Sequence, residues 1–311
     1  LAERWVTVSK SVVVAGATGF LGARLCSDLA SLGWRVSALA RSEKAGSALA
    51  GVRILPWNGR DLDAGWADDT AQADAVINLA GAPIAGRRWT PEVKRELVES
   101  RLSTTKAIVR ALGKGGGRPR VLVNASAVGI YGDRGDEELC ETSPPGKGFL
   151  ADLCVEWEAA AMEAVQFGVR VVPARIGIVL GRGGGALPEM AKPFRYFAGG
   201  PIGNGRQWVP WVHQSDTLGL LIWALETDAV SGPVNVVSPN PVRQMELARA
   251  IGRALHRPAL APAPGFALKL LVGEFAESLL AGQRVKPAVA QQLGYTWRFS
   301  EVQEAVAAEL T

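Results

Sequence analysis

Ser11-Val-Val-Val-Ala15-Gly16-Ala-Thr18-Gly19-Phe20-Leu21-Gly22-Ala-Arg-Leu-Cys26 is the stretch that decides the fold of this chain. Three consecutive valines make a short buried strand, three glycines follow at intervals of three, and helical spacing begins at once. Such a junction cradles phosphate. Glycines let the backbone approach a pyrophosphate, and the start of a helix presents unpaired N–H groups at the positive end of its dipole. Thr18 adds a hydroxyl. The spacing is G-x-x-G-x-x-G rather than G-x-G-x-x-G, and a tight turn with no ligand is the alternative.

Working outward, β-branched apolar runs alternate with helical stretches. Strands are predicted at 11–15, 35–40, 52–55, 75–79, 121–125 and 169–173. The pattern implies an α/β fold, a doubly wound parallel sheet of the Rossmann type with a smaller C-terminal substrate lobe. One helix is expected to open after Gly22 and stop at Gly33. Another has Thr90 as N-cap, Pro91 at its first position and Glu92 behind, and runs to about Gly113. After Gly181 the texture changes: Gly183-Gly184-Gly185, Gly199-Gly200-Pro201 and Gly203-Asn204-Gly205 mark a loop-rich region. The expected organisation is a Rossmann domain over 1–183 with a return segment near 209–240, and a lobe over 184–208 and 241–311.

The second strand ends at Ala40 and is followed by Arg41, about twenty residues past the glycine turn. A site preferring NAD places an acid there to accept from the ribose 2′-hydroxyl. Arg41 instead suits a 2′-phosphate, so NADP(H) is the expected cofactor, with an ordinary surface arginine as the alternative.

Bulk properties narrow the function. The 311 residues are 48% hydrophobic and 21% charged, values of a globular chain. A net charge of +4 without a basic tract gives no indication of nucleic-acid binding. Cys26, Cys140 and Cys154 and two distant histidines lack metal-ligand spacing, so no metal is expected. Free thiols in a reducing compartment are expected. No apolar run approaches the roughly 18 residues of a membrane span. The chain begins at Leu1 rather than Met, which suggests processing: an organelle interior, chloroplast or mitochondrial, if a transit peptide was removed, and otherwise the cytoplasm.

Together with Asn78-Leu79-Ala80-Gly81 and Ser126…Tyr131-Gly132, the glycine turn resembles the extended short-chain dehydrogenase/reductase superfamily. Arg87-Arg88-Trp89, Glu99-Ser-Arg101-Leu-Ser-Thr-Thr105, Trp157-Glu158 and Gly177-Ile-Val-Leu-Gly181 resemble one atypical branch of it. Gly199-Gly-Pro-Ile-Gly203-Asn-Gly205 and Pro210-Trp211-Val-His213 extend the likeness over nearly the whole chain. That branch is described as nucleoside-diphosphate-sugar epimerases carrying a small C-terminal domain of unknown function. The resemblance implies that Gly16, Thr18, Gly19, Phe20, Leu21 and Gly22 hold the pyrophosphate, and that Ala40 and Arg41 hold the 2′-phosphate. It also implies that Leu79, Ala80, Glu96, Arg101 and Val179 face the cofactor. For Glu96 and Arg101 a solvated helical face is the alternative.

In this superfamily a Tyr and a Lys four residues later move the substrate proton, the ammonium lowering the Tyr pKa. The positions four beyond Tyr131, Tyr196 and Tyr295 are Gly135, Gly200 and Phe299, so the chain has no Tyr-x-x-x-Lys. Taking Glu158 as the acid that follows the pair puts Leu150 at the Tyr position and Cys154 at the Lys position. Ser126 matches the substrate-orienting serine if one extra residue precedes Tyr131; otherwise the position is Ala127. Tyr131 is a stand-in acid or a packing residue. The arginine that binds the sugar diphosphate is replaced by Val209, with Arg206 and Arg195 nearby. Trp208 and Trp211 line a pocket or form core, and His213 is read as a structural hydrogen-bonder.

The leading expectation is an NADP(H)-dependent oxidoreductase or epimerase acting on a small carbonyl or hydroxyl substrate without the usual pair. The rival is a non-catalytic NADPH-binding subunit, within a homo-oligomer or a larger assembly.

Overall fold

The computed structural model describes residues 10–42, 44, 49–62, 65–116 and 119–311. Leu1, and with it any sign of processing, lies outside the described residues.

The apolar runs form β1 (Ser11–Ala15), β2 (Arg35–Ala40), β3 (Arg53–Pro56), β4 (Ala75–Asn78), β5 (Val121–Ala127) and the strands Arg170–Ile176 and Val234–Val236. From one edge their order is Val234–Val236, Arg170–Ile176, β5, β4, β1, β2, β3. Every pairing is parallel. Strands of this kind are buried on both faces, which is why they read as unbroken apolar runs. Successive side chains point to opposite faces. Val12 and Val14 meet Leu25, Leu29 and Leu221 on one side, whereas Val13 meets Leu122, Ile108 and Leu112 on the other.

α1 (Phe20–Ser31) and the helix Gln214–Glu226 cover the first face. The helices Trp66–Gln72, Pro91–Gly113 and Phe149–Met162 cover the second. Thr90 caps Pro91–Gly113, its side chain accepting from the Val93 N–H, with Pro91 in the first turn. α1 starts at Phe20, not after Gly22, because Gly22 is part of the helix's contact with the turn. A Cβ there would stand 2.1 Å from the Gly16 carbonyl oxygen.

Strand ends also differ from expectation. β3 begins one residue later than expected, β4 stops at Asn78, and β5 continues to Ala127. Arg170–Ile176 runs past Pro173, which lacks an N–H, and its pairing with Val234–Val236 starts only at Ala174. The glycine-rich region hides a helix, Leu187–Arg195, with one proline in its first turn and Pro193 near its end.

A further core lies at the C-terminal side. Leu187, Phe194, Leu247, Ile251, Val302 and Val306 bring three helices together over Leu180 and Trp211. The strand Trp211–His213 pairs with Ile178–Gly181, which turns back as Gly184–Gly185. Among the described residues no helix is long and apolar enough to cross a membrane.

β1 has β2 on one side and β4 on the other, so the strand order reverses there. In open α/β sheets a crevice opens at the carboxyl ends of such strands. The glycine turn leaves β1 at that point.

Candidate functional site

Gly16 has φ +77°, a conformation that favours glycine, and it is pressed against the β4 loop. A Cβ on Gly16 would be 2.7 Å from the Leu79 carbonyl and 2.9 Å from the Ala80 nitrogen. Gly19 is the N-cap of α1 and supplies no side-chain cap, and no acid occupies the first turn. The helix therefore offers N–H groups and its positive end without an internal anion. Thr18 is exposed beside it.

Phe20 extends the turn across the crevice. Its ring lies so close to Gly181 and Gly184 that a Cβ on either would be within 2.7 Å of it. Gly185 sits with its Cα over the Val179 carbonyl, to which Ala186 N–H donates at 3.1 Å. The structure thus brings Val179 and its hairpin to the phosphate turn.

Ala40 is buried at the end of β2, and Arg41 is exposed immediately after it. Arg41 forms no ion pair with a described residue. On the other side of β1, Leu79 and Ala80 are half-buried. Asn78 fixes their loop: its Oδ1 accepts from Ala80 N–H, and its Nδ2 donates to Asn124 Oδ1 at 2.7 Å and to Thr105 Oγ1 at 3.0 Å.

Arg101 and Glu96 part company. Glu96 is exposed and holds Arg87 in a bidentate pair at 2.8 and 3.0 Å, on the solvated face of the helix. Arg101 is 6% exposed, lies under Gly81 and over the Trp157 ring, and donates to the Leu97 and Ala82 carbonyls. Its Nε has no hydrogen-bond partner, and no described carboxylate pairs with it. Burial lowers its pKa, which is the cost of a guanidinium without a counter-charge.

The positions of the absent pair are occupied as the sequence suggests. Leu150 is half-buried, and a Cβ on Gly129 would be 3.2 Å from the Leu150 Cβ. Cys154 is 2% exposed, and burial, with the Glu158 charge beside it, pushes its thiol up to about 11. Ser126 donates to Glu158 Oε1 at 2.6 Å, so its hydroxyl is committed. Glu158 in turn grips Arg175 through two bonds of 2.9 Å.

Tyr131, read as a stand-in acid or a packing residue, belongs to the same network. It has no exposed surface. Its hydroxyl lies 2.7 Å from Asn235 Oδ1 and 3.0 Å from the Cys140 carbonyl, and it accepts from Arg175 Nη1. Burial raises its pKa to about 12 against the opposing pull of Arg175. A phenol so enclosed packs beside the crevice; it does not reach into it.

Sequence reasoning used Glu158 only as a marker of register and passed over Arg175 and Glu141. Glu141 is buried and accepts from the Asn235, Ala288 and Val289 N–H groups, tying this network to the C-terminal segment. The one available signal was a lone Arg within an apolar strand run, Val171-Val-Pro-Ala-Arg175-Ile.

The substrate-side aromatics are spoken for. Trp208 is stacked by Arg243 and Arg284, at 4.0 and 5.1 Å, and its Nε1 donates to Asp136. Trp211 is fully buried core. His213 caps the helix Gln214–Glu226: Nδ1 accepts from Ser215 N–H, which leaves Nε2 as the donor to Glu309 at 2.9 Å. Val209 is buried and Arg206 exposed. The three cysteines are free. No group of three His, Cys, Asp or Glu side chains is placed to hold a metal among the described residues.

A dinucleotide fits what is built here. Side-chain-free backbone at Gly16, Gly19 and Gly22, an uncapped helix start and an unpaired arginine after β2 complement a pyrophosphate and a 2′-phosphate.

Comparison with known proteins agrees with this architecture. The model of the NAD-dependent epimerase/dehydratase family matches residues 12–237, and that of a domain of unknown function, DUF1731, matches 263–309. The chloroplastic homologue of epimerase family protein SDR39U1 from Arabidopsis thaliana is 40% identical over 300 residues, 96% of this chain and 86% of that protein. The crystal structure of human epimerase family protein SDR39U1 (isoform 2) with NADPH aligns with TM-score 0.84 and 35% identity. That alignment covers 96% of this chain and 98% of the other. A nucleoside-diphosphate sugar epimerase from Corynebacterium glutamicum aligns with TM-score 0.78 and 31% identity, over 97% of this chain and 58% of the other.

Proposed function

The chain belongs to the NAD-dependent epimerase/dehydratase family, and from that premise we propose that it binds NADP(H) and presents it to a small carbonyl or hydroxyl substrate without a tyrosine proton donor. One observation carries the reading: Gly16 and Gly22 are packed so closely against Leu79 and the turn that neither position has room for a side chain. Gly16, Thr18, Gly19, Phe20, Leu21 and Gly22 hold the pyrophosphate, and Ala40 and Arg41 the 2′-phosphate. Leu79, Ala80 and Val179 lie along the cofactor, and Arg101 charges the wall beneath Gly81. The human relative solved with NADPH supports the choice of NADP(H).

When bound, the cofactor supplies or accepts hydride. The chain's own part is to bind and orient it, and to exclude water with the half-buried apolar wall of Leu79, Ala80, Ala127 and Leu150. A proton for the substrate oxygen must come from solvent or from the substrate itself, since Ser126 and Tyr131 are committed elsewhere.

A second reading, a non-catalytic NADPH-binding subunit of a homo-oligomer or larger assembly, is favoured by Leu150 and Cys154 at the pair's positions. Three free thiols fit a reducing compartment, cytoplasm or organelle interior. Titration with NADPH and NADH, followed by a panel of aldehydes, ketones and sugar nucleotides, tests both readings. NADPH consumption by any member supports the enzyme; tight binding with no consumption supports the subunit. Arg41→Ala should weaken NADPH about tenfold or more, roughly 1.4 kcal/mol, and leave NADH unchanged. Equal losses would remove Arg41 from the 2′-phosphate.

A further inference from the structure

The helices Leu187–Arg195 and Gln244–Ala254 pack against each other near their C-terminal ends, and a cleft of about 440 Å³ opens beside them. Arg249, Gly252, Arg253, His256, Arg257 and Ala259 line it. Arg249 and Arg253 are exposed, Arg257 is half-buried, and none of the three pairs with a described carboxylate. The Arg257 guanidinium stacks on Phe197 at 4.3 Å, Nη1 donates to the His256 carbonyl, and Nε is buried without a partner.

Backbone strain gathers at this same place. Phe197, at φ 59°, and His256, at φ 52°, are the non-glycine residues of positive φ among the described residues; every other is a glycine. Each follows a helix C-cap, where glycine relieves the strain. Phe197 is also 65% exposed, so no core burial repays its conformation; what it does is support Arg257. The cleft floor is Gly252, a glycine inside a helix. A Cβ there would stand 2.6 Å from the Arg257 carbonyl.

Magnitudes separate a ligand site from simple compensation of helix dipoles. Two helix C-termini together present about one negative charge. Three guanidinium groups exceed that by about two, the charge of a phosphate monoester near neutrality. Strain of this kind persists where function holds it.

We propose that this cleft, outside the cofactor crevice, is a second ligand site for a small phosphate-bearing anion, gripped by Arg249, Arg253 and Arg257. The guanidinium forks match phosphate oxygens. The site does not rest on the NADP(H) reading.

Isothermal titration of the full chain, first saturated with NADPH, with inorganic pyrophosphate at fixed ionic strength tests it. Saturable binding is expected, weakened at least tenfold in Arg249→Ala/Arg253→Ala and unchanged in Arg110→Ala, an exposed arginine elsewhere. Both substituted arginines are exposed, so the double variant keeps its fold. Binding that the double variant retains places the anion elsewhere on the chain and overturns the proposal. It is overturned equally if pyrophosphate does not bind and the arginines are needed instead for pelleting with vesicles of anionic lipid.

Discussion

The Phe20 ring and the Gly184 backbone share one contact: a Cβ on Gly184 would stand 2.6 Å from Phe20 Cγ and Cδ2. The contact joins the first phosphate turn to a hairpin more than 150 residues later in the chain. Gly184→Ala must push the ring or the hairpin aside, an overpacking cost of about 1–3 kcal/mol. NADPH affinity should fall about tenfold or more, read by fluorescence titration. At Gly183 the nearest atom to an added Cβ is 3.9 Å away, so Gly183→Ala should bind normally. Equal effects of the two would mean that the contact plays no part in holding the cofactor.

The Ser126–Glu158–Arg175–Tyr131 chain is a second such prediction. Glu158→Ala leaves the Arg175 guanidinium buried without its carboxylate, a cost of about 3–5 kcal/mol. Tyr131→Phe removes one hydroxyl from Asn235 and Arg175, about 1–3 kcal/mol. Thermal melts should therefore rank Glu158→Ala well below Tyr131→Phe, with Tyr131→Phe below the parent and NADPH binding kept by both. A Tyr131→Phe protein that melts like the parent yet loses turnover would restore the phenol to catalysis.

What was legible followed from local chemistry. The strand–turn–helix junction, the Thr90 cap and the gap at Leu150 and Cys154 are each written within a few residues. The Phe20–Gly184 contact, the arginine stack on Trp208 and the ion pair of Glu158 with Arg175 join distant segments. No local period encodes them. Trp208 and Trp211 read as pocket or core because aromatic side chains serve both; only their surroundings, the Arg243 stack on Trp208 and the full burial of Trp211, separate the two uses. Of the two alternatives for Glu96, the helix period explains its exposure: it lies five positions from Arg101, which turns it to the solvated side of the helix.

Stability should depend on pH through His213. Burial lowers its pKa below the ordinary value of 6.5, outweighing the opposing pull of Glu309 and Asp216, while Arg298 adds to the lowering. Above that value both folded and unfolded imidazoles are neutral, and the contribution is complete. As pH falls through 6.5, the unfolded chain takes up a proton that the folded one resists, so stability drops until the folded pKa is passed. His213→Asn keeps a cap acceptor for Ser215 and removes the titration. Denaturant midpoints measured from neutral to mildly acidic pH should fall less steeply in the variant than in the parent; parallel curves would refute the assignment.

Leu150 sets the last test. It is half-buried, stands in the first turn of the helix Phe149–Met162 and lies against Gly129, where a phenol can point into the crevice. Arg101, buried and without a carboxylate, already brings a positive charge close to Cys154. Leu150→Tyr should therefore raise carbonyl-dependent NADPH oxidation at least tenfold, about 1.4 kcal/mol of barrier, with that cation lowering the phenol's pKa. Cys154→Lys should instead cost about 3 kcal/mol or more of stability, since it buries an ammonium beside the guanidinium. Absorbance assays on Leu150→Tyr, with melting curves for both variants, check the pair. A folded, NADPH-binding Leu150→Tyr protein no faster than the parent would mean that something other than the missing proton donor limits turnover.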